Sequence, residues 1–244
     1  MKTLLMSACL VAGLIATPAE AAKRLRFSGY DFTVKTGEGL GPGPNRWAAS
    51  QAKVDSRGRL HLNFSKTDDG LWTAGEIQSV SRFGFGTYEM EFEGDIGGQD
   101  KNVVFGFFNY PSEDVGPDTT HEIDVEFARW GDLTNKPLNY TVWPVKNELK
   151  QTGRSFGWPR RVARSRHVFV WSRTSVDFRS ELLNSNGDVL KTETWRYAPT
   201  DYKTRIASKP MAVHFNLWGF KGKAPRDGQP VEAIVTRFTF TPAQ

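Results

Sequence analysis

Along most of this chain apolar and polar residues alternate at period two, in short runs broken by glycine, proline, asparagine and aspartate. That period puts every second side chain on one face of an extended strand, whereas a helix needs apolar positions three and four apart. Candidate strands are 47–54, 59–65, 75–81, 85–93, 102–110, 122–128, 138–143, 167–172, 176–183, 188–194, 210–217 and 231–240. Between them lie Asp55-Ser-Arg-Gly58, Lys66-Thr-Asp-Asp-Gly70, Gly94 to Gly98, Pro111 to Pro117 and Asn184-Ser-Asn-Gly187. The last of these, flanked by two alternating runs, reads as a hairpin turn. No convincing amphipathic helix exceeds about three turns, against roughly a third helix in average proteins. So many half-apolar strands with so little helix predict an all-β fold, an antiparallel sandwich of two sheets. The stretch from Gly37 to Pro44 reads as a loop near the start of that fold, because too little chain precedes it for a separate domain.

A chain of 244 residues is enough for one sizeable core, and all-β domains of this length are commonly single. With 24% charged and 39% hydrophobic residues it has the balance of a soluble globular protein. The N-terminus stands apart: Lys2, an apolar stretch from Leu4 to Ala16, and Ala19-Glu-Ala21. A positive start, a short apolar run and an A-x-A site read as a secretory signal over residues 1–21, leaving a single domain over 22–244. The apolar run is too short for a bilayer span, so no membrane insertion is expected, and the protein is expected to be secreted or periplasmic. The one cysteine, Cys9, lies inside that signal, which leaves no disulfide and no thiolate metal site in the mature chain. Net charge is +5, much of it from Arg154, Arg160, Arg161, Arg164 and Arg166, a stretch that reads as a solvated basic loop. No nucleic-acid-binding module is recognisable, so nucleic acid is not expected as a partner. A monomer is expected.

The run His121-Glu-Ile-Asp-Val-Glu-Phe127 carries the chemistry. Ile123, Val125 and Phe127 point one way along a strand, and Glu122, Asp124 and Glu126 the other. Carboxylates are poor strand formers, and like charges on one sheet face repel. A solvated acidic strand or a calcium site could account for them, although alternating strand positions do not make the usual compact calcium loop. The third reading is glycoside cleavage. One carboxylate attacks the anomeric carbon, and another carboxyl, kept protonated by nearby negative charge, protonates the leaving oxygen. Four residues of flat strand separate Cα atoms by about 13 Å. The carboxyls of a retaining glycosidase lie only about 5–5.5 Å apart, so that reading requires a concavely curved sheet.

These residues resemble glycoside hydrolase family 16, whose signature E-x-D-x-E stands here as Glu122-Ile-Asp-Val-Glu126. Arg82-Phe-Gly-Phe-Gly-Thr-Tyr-Glu-Met90, Val104-Phe-Gly-Phe-Phe-Asn-Tyr110, Lys209-Pro-Met-Ala-Val-His-Phe-Asn-Leu-Trp218 and Gly75-Glu-Ile-Gln-Ser79 match further family segments in the family's order. The resemblance implies a β-jelly-roll of two curved antiparallel sheets with a sugar cleft across the concave face. It also implies a retaining endo-acting mechanism, with Glu122 as nucleophile, Glu126 as acid/base and Asp124 as helper between them. Among family members the lichenases, which cut β-1,3-1,4-glucan, look most similar. Three positions depart from them: Thr120 replaces a tryptophan before the nucleophile, and Gln78 replaces an arginine beyond the cleft-edge glutamate matched by Glu76. Ile234 replaces the aspartate of a structural calcium site, so no metal and no other cofactor is expected.

Indole rings stack on the apolar faces of sugars, and eight tryptophans are available. Most tryptophans in a sandwich are core, Trp171 among them. Trp218 and Asn216 share a strand face, as do Trp143, Thr141 and Asn139, so both sets are candidate substrate contacts. Glu76, Asn45 and Trp47 are further candidates, Asn45 because an asparagine contacts substrate in the related lichenases. His121 is expected to face away from the cleft, and His61, His121, His167 and His214 are too scattered for a metal site. The expected partner is a polysaccharide, with β-1,3-1,4-glucan the best candidate. Another β-glycan (β-1,3-glucan, xyloglucan, galactan), glycosyl transfer instead of hydrolysis, and a non-catalytic glycan-binding module are the alternatives.

Overall fold

The computed structural model describes residues 23–244, so the expected signal at 1–21, with Cys9, lies outside the described residues. Two large antiparallel sheets face each other. The first runs, edge to edge, through Arg24–Phe27, Tyr30–Val34, Gly75–Phe83, Met211–Gly219, Val103–Tyr110, Ile123–Ala128, Leu138–Val142 and Thr152–Phe156. The second runs through Val189–Tyr197, Val176–Leu183, Arg164–Trp171, Gly86–Glu93, Val231–Pro242, Leu60–Lys66 and Ala52–Val54, with Trp72–Thr73 paired to Leu60–Lys66. The one α-helix among the described residues is the single turn Tyr202–Arg205. This is the expected jelly-roll sandwich, and the Asn184–Gly187 turn joins two paired strands as read.

Alternation decides which side chains make the core. Phe105, Phe107, Val125, Phe127, Val213 and Phe215 point inward from the first sheet and meet Tyr88, Met90, Phe169, Phe178 and Phe238 from the second, all buried. Phe107 sits at the centre, stacked on Phe215 at 5.2 Å and tilted against Phe169 at 5.4 Å. Each fully buried phenylalanine contributes about 1.5–3 kcal/mol, so this seam holds the acidic strand against the second sheet without any disulfide.

The structure departs from the sequence reading at both ends of the pattern. Five strands escaped it: Arg24–Phe27, Tyr30–Val34, Gly37–Leu40, Trp72–Thr73 and Thr152–Phe156. All are short and most lie at sheet edges, where one face meets water and alternation fades. The stretch expected as a loop from Gly37 is half of a small hairpin, Gly37–Leu40 against Asn45–Trp47. The candidate strand 47–54 is split by a 3-10 turn, Ala49–Gln51, where the chain crosses from that hairpin to the second sheet. The turn is pressed onto Gly75, where a Cβ would lie 2.4 Å from the Gln51 carbonyl oxygen. The basic stretch is no simple loop either. Arg154 belongs to an edge strand of the first sheet and Arg166 to an interior strand of the second, where Arg166 pairs with Glu89 and Glu181.

Candidate active site

The outer face of the first sheet is a cleft of about 1050 Å³ whose walls include Glu122, Asp124 and Glu126. Strand register orders its floor. One row crosses the sheet through Gln78, His214, Phe108, Asp124 and Thr141; the next, one pleat along, runs through Glu76, Asn216, Gly106, Glu126 and Asn139. Gly106 is needed in the second row. A Cβ there would come within 2.6 Å of Asn216 Oδ1, so a side chain would fill the floor between Asn216 and Glu126.

The acidic strand enters the sheet through two residues in left-handed backbone, Thr119 at φ +66° and His121 at φ +63°. A β-type turn at Ser112–Gly116 precedes them, and Thr120 is buried with its hydroxyl donating to the Pro117 carbonyl at 2.6 Å. His121 Nδ1 lies 2.7 Å from that same hydroxyl, so the histidine packs into the turn and is not part of the cleft wall. Asn109 fixes the first residue of the strand: its Oδ1 accepts from the Ile123 amide at 3.1 Å.

Asp124 is buried, while Glu122 and Glu126 are half-buried on either side of it. Trp143 Nε1 donates to Asp124 Oδ2 at 2.8 Å. Asp124 Oδ1 has no donor in reach, and the acid that Asp124 is coupled to most closely is Glu122. Two carboxyls can bond only through a proton, so the protonation of Glu122 and that of Asp124 are linked. Burial pushes all three acids upward, and the charge of Asp124 adds to the rise at Glu122 and Glu126. The Asp124 carboxyl is lifted to about 7, held from going further by its bonds to Glu122 and Trp143. Glu122 feels the charges of both Asp124 and Glu126.

Of the other expected contacts, Glu76, Trp143, Asn216 and Trp218 line this cleft. Asn139 lines an adjoining depression of about 420 Å³ shared with Glu126, Trp130 and Trp143. Asn45 and Trp47 line neither. Asn45 Nδ2 donates to the Pro42 and Gly219 carbonyls at 2.7 and 3.0 Å, and its Oδ1 accepts from the Gly219 amide at 3.2 Å. It clips the hairpin to the end of the strand carrying Asn216 and Trp218. Trp47 is buried at 2% exposure, its Nε1 donating to the Leu40 carbonyl at 3.0 Å. Both are consumed by the fold, which corrects their placement as sugar contacts. The cleft also holds residues the sequence reading passed over: Lys35, Phe108, Tyr110 and His214. His214 shares alternation with Asn216 and Trp218, already singled out, which was a usable signal; Lys35 follows the short strand Tyr30–Val34 and gave none.

A β-jelly-roll with a row of mutually charged carboxyls across a sugar-sized cleft defines a class of glycan-binding and glycan-cleaving sandwiches. The chain belongs to the glycosyl hydrolases family 16, whose family model matches residues 44–233. It is similar to a beta-glucanase of Bacillus licheniformis, 26% identical over 178 residues that make up 72% of this chain and 64% of that protein. It thus spans just under two thirds of that relative's length. A lichenase from a mouse hindgut metagenome superposes with a TM-score of 0.64 at 18% identity, over 91% of this chain and 99% of the other. A laminarinase from Flavobacterium does so at 0.63 and 14%, over 86% and 92%. Proteins named for different glucans share this fold, so specificity must be sought in the cleft residues themselves.

Proposed function

We propose that the protein is a retaining endo-β-glycanase acting on a β-linked glucan by double displacement. The observation that carries this reading is the set of three carboxyls raised together in one cleft. A protonated carboxyl and an ionised one at the same pH are the two groups that glycoside cleavage consumes. Glu126 gives its proton to the glycosidic oxygen as the Glu122 carboxylate forms a bond to the anomeric carbon, and the bond to the leaving sugar breaks. Asp124 donates to the Glu122 oxygen that does not attack and so keeps the nucleophile oriented. Water then attacks the same carbon, Glu126 takes its proton, and the ester to Glu122 breaks. Net configuration is retained, and the three acids end with the protons they began with.

Mixed-linkage β-1,3-1,4-glucan is the substrate we favour, on the strength of the beta-glucanase relatives. The protein is read as an exported monomer, which fractionation of the producing cells and light scattering will check. Reducing-sugar release from lichenan, laminarin, xyloglucan and galactan, by wild type and Glu122→Gln, tests the activity. Release by wild type alone supports hydrolysis, whereas saccharide binding with no release from any of the four rejects it. Proton NMR of early products must show the β anomer first; an inverted anomer rejects Glu122 as nucleophile.

A further inference from the structure

The strand Met211–Gly219 turns three side chains toward the cleft, and each carries a buried polar atom with no partner: His214 Nε2, Asn216 Oδ1 and Trp218 Nε1. A buried polar atom without a partner is costly, and three in a row on one strand face describe a surface suited to hydrogen-bonding groups. Asn216 and Trp218 follow from the family signature. His214 does not, and it is held more firmly than either.

His214 Nδ1 lies 3.0 Å from Glu76 Oε1, and Lys35 Nζ donates to Glu76 Oε2 at 3.0 Å and to the Gly41 carbonyl at 2.5 Å. The imidazole stacks on Phe108 at 5.0 Å and meets Tyr110 edge-on at 5.8 Å. Burial works to raise the Glu76 carboxyl, but the His214 bond and then the Lys35 charge outweigh it and hold Glu76 ionised. An ionised Glu76 can only accept, so the Nδ1 nitrogen carries the proton and Nε2 is the free end, aimed into the cleft at 6% exposure of the residue. In register His214 lies two strands from Asp124, across Phe108. At about 4.8 Å per strand that is about 10 Å from the reacting centre, roughly two pyranose rings along a bound chain.

We infer that His214 is a specificity-determining residue of the proposed glycanase, reading one sugar hydroxyl at a subsite remote from the cleavage point, with Glu76 and Lys35 as its positioning residues. The sugar read there is a neutral pyranose. Six carboxyls line the cleft (Glu76, Glu113, Asp118, Glu122, Asp124 and Glu126), and the charge of Lys35 is already taken by Glu76, so a uronate or sulfated unit is repelled. This rests on the cleft being the glycan site, and the test separates the two ideas.

Binding of mixed-linkage and β-1,3-linked gluco-oligosaccharides from two to six units is measured by calorimetry in a Glu122→Gln background, with and without His214→Phe and His214→Gln. Phenylalanine keeps the stack on Phe108 and removes Nε2; glutamine returns a polar atom near that position. The affinity gained on lengthening the chain past the subsite should fall at least tenfold with phenylalanine, with a loss under threefold for the disaccharide, and glutamine should restore part of it. An equal loss at every length, or none at any, overturns the inference, as does tighter binding of a uronate-bearing chain. Should wild type prove inactive on every glycan while this length-dependent loss persists, the hydrolase reading fails and the role of His214 stands.

Discussion

Replacing Asp124 by asparagine should stabilise the protein at alkaline pH while removing most of its activity. Asp124 titrates at about 7 in the fold against 3.8 for an unhindered aspartate. Between those two values the folded state binds more protons than the unfolded one, so stability falls as pH rises through that window and is fully forfeited above pH 7. At about 1.36 kcal/mol per pH unit the interval corresponds to about 4 kcal/mol. Glu122 titrates together with Asp124, so about 2–4 kcal/mol is the expectation for Asp124 alone. Asparagine keeps an oxygen to accept from Trp143 Nε1 and brings an amide to donate to Glu122, so no buried bond is broken. Urea unfolding followed by tryptophan fluorescence should show wild type and variant within about 0.5 kcal/mol at pH 4 and the variant about 2–4 kcal/mol more stable at pH 8.5. A difference that is constant across pH, or a variant no more stable at pH 8.5, would refute the idea that this carboxyl is held against its own charge. Turnover should fall by about 10²-fold or more, since an amide can donate to the nucleophile but cannot gain or release a proton as its charge changes.

Gly106→Ala puts a Cβ 2.6 Å from Asn216 Oδ1 on the cleft floor. It should cost about 1–3 kcal/mol of stability but at least tenfold in kcat/KM; preserved activity would contradict the assignment of that floor to substrate. Trp143→Phe removes a donor from Asp124 Oδ2, so the coupled acids should titrate higher and the pH profile of kcat/KM move alkaline by about one unit, an unmoved profile speaking against the bond's importance. Glu126→Gln should lower cleavage of unactivated polysaccharide by about 10²–10⁴-fold but spare the first step on aryl glycosides whose leaving group needs no proton; equal losses on both would deny it the acid role.

The strands that bury one face and expose the other were legible because burial writes itself at period two: Val176–Leu183 is read to the residue. The edge strands Arg24–Phe27 and Thr152–Phe156 were not, since neither face there is fully buried. The same physics governs the site. Glu122, Asp124 and Glu126 stand out because three like charges on one strand are costly, whereas Asn45 and Trp47 look like sugar contacts until their partners are seen. Their hydrogen bonds go to Gly219 and Leu40, backbone positions that no spacing reveals. His214 was hidden differently. Its partner Glu76 is distant in sequence, and only the pairing of Gly75–Phe83 with Met211–Gly219 brings the two together.

That pairing also bears on how the molecule is born. The strand Met211–Gly219 lies between Gly75–Phe83 and Val103–Tyr110, so the middle of the cleft-bearing sheet is supplied by a segment synthesised well after both of its neighbours. Until it arrives, two half-sheets present unpaired edges to each other across an open seam, a state prone to association. Topologies dominated by such distant pairings fold slowly, in milliseconds to seconds. A nascent chain can therefore carry all three acids in sequence and still lack the groove in which they act, and closure of the seam and completion of the groove are a single event.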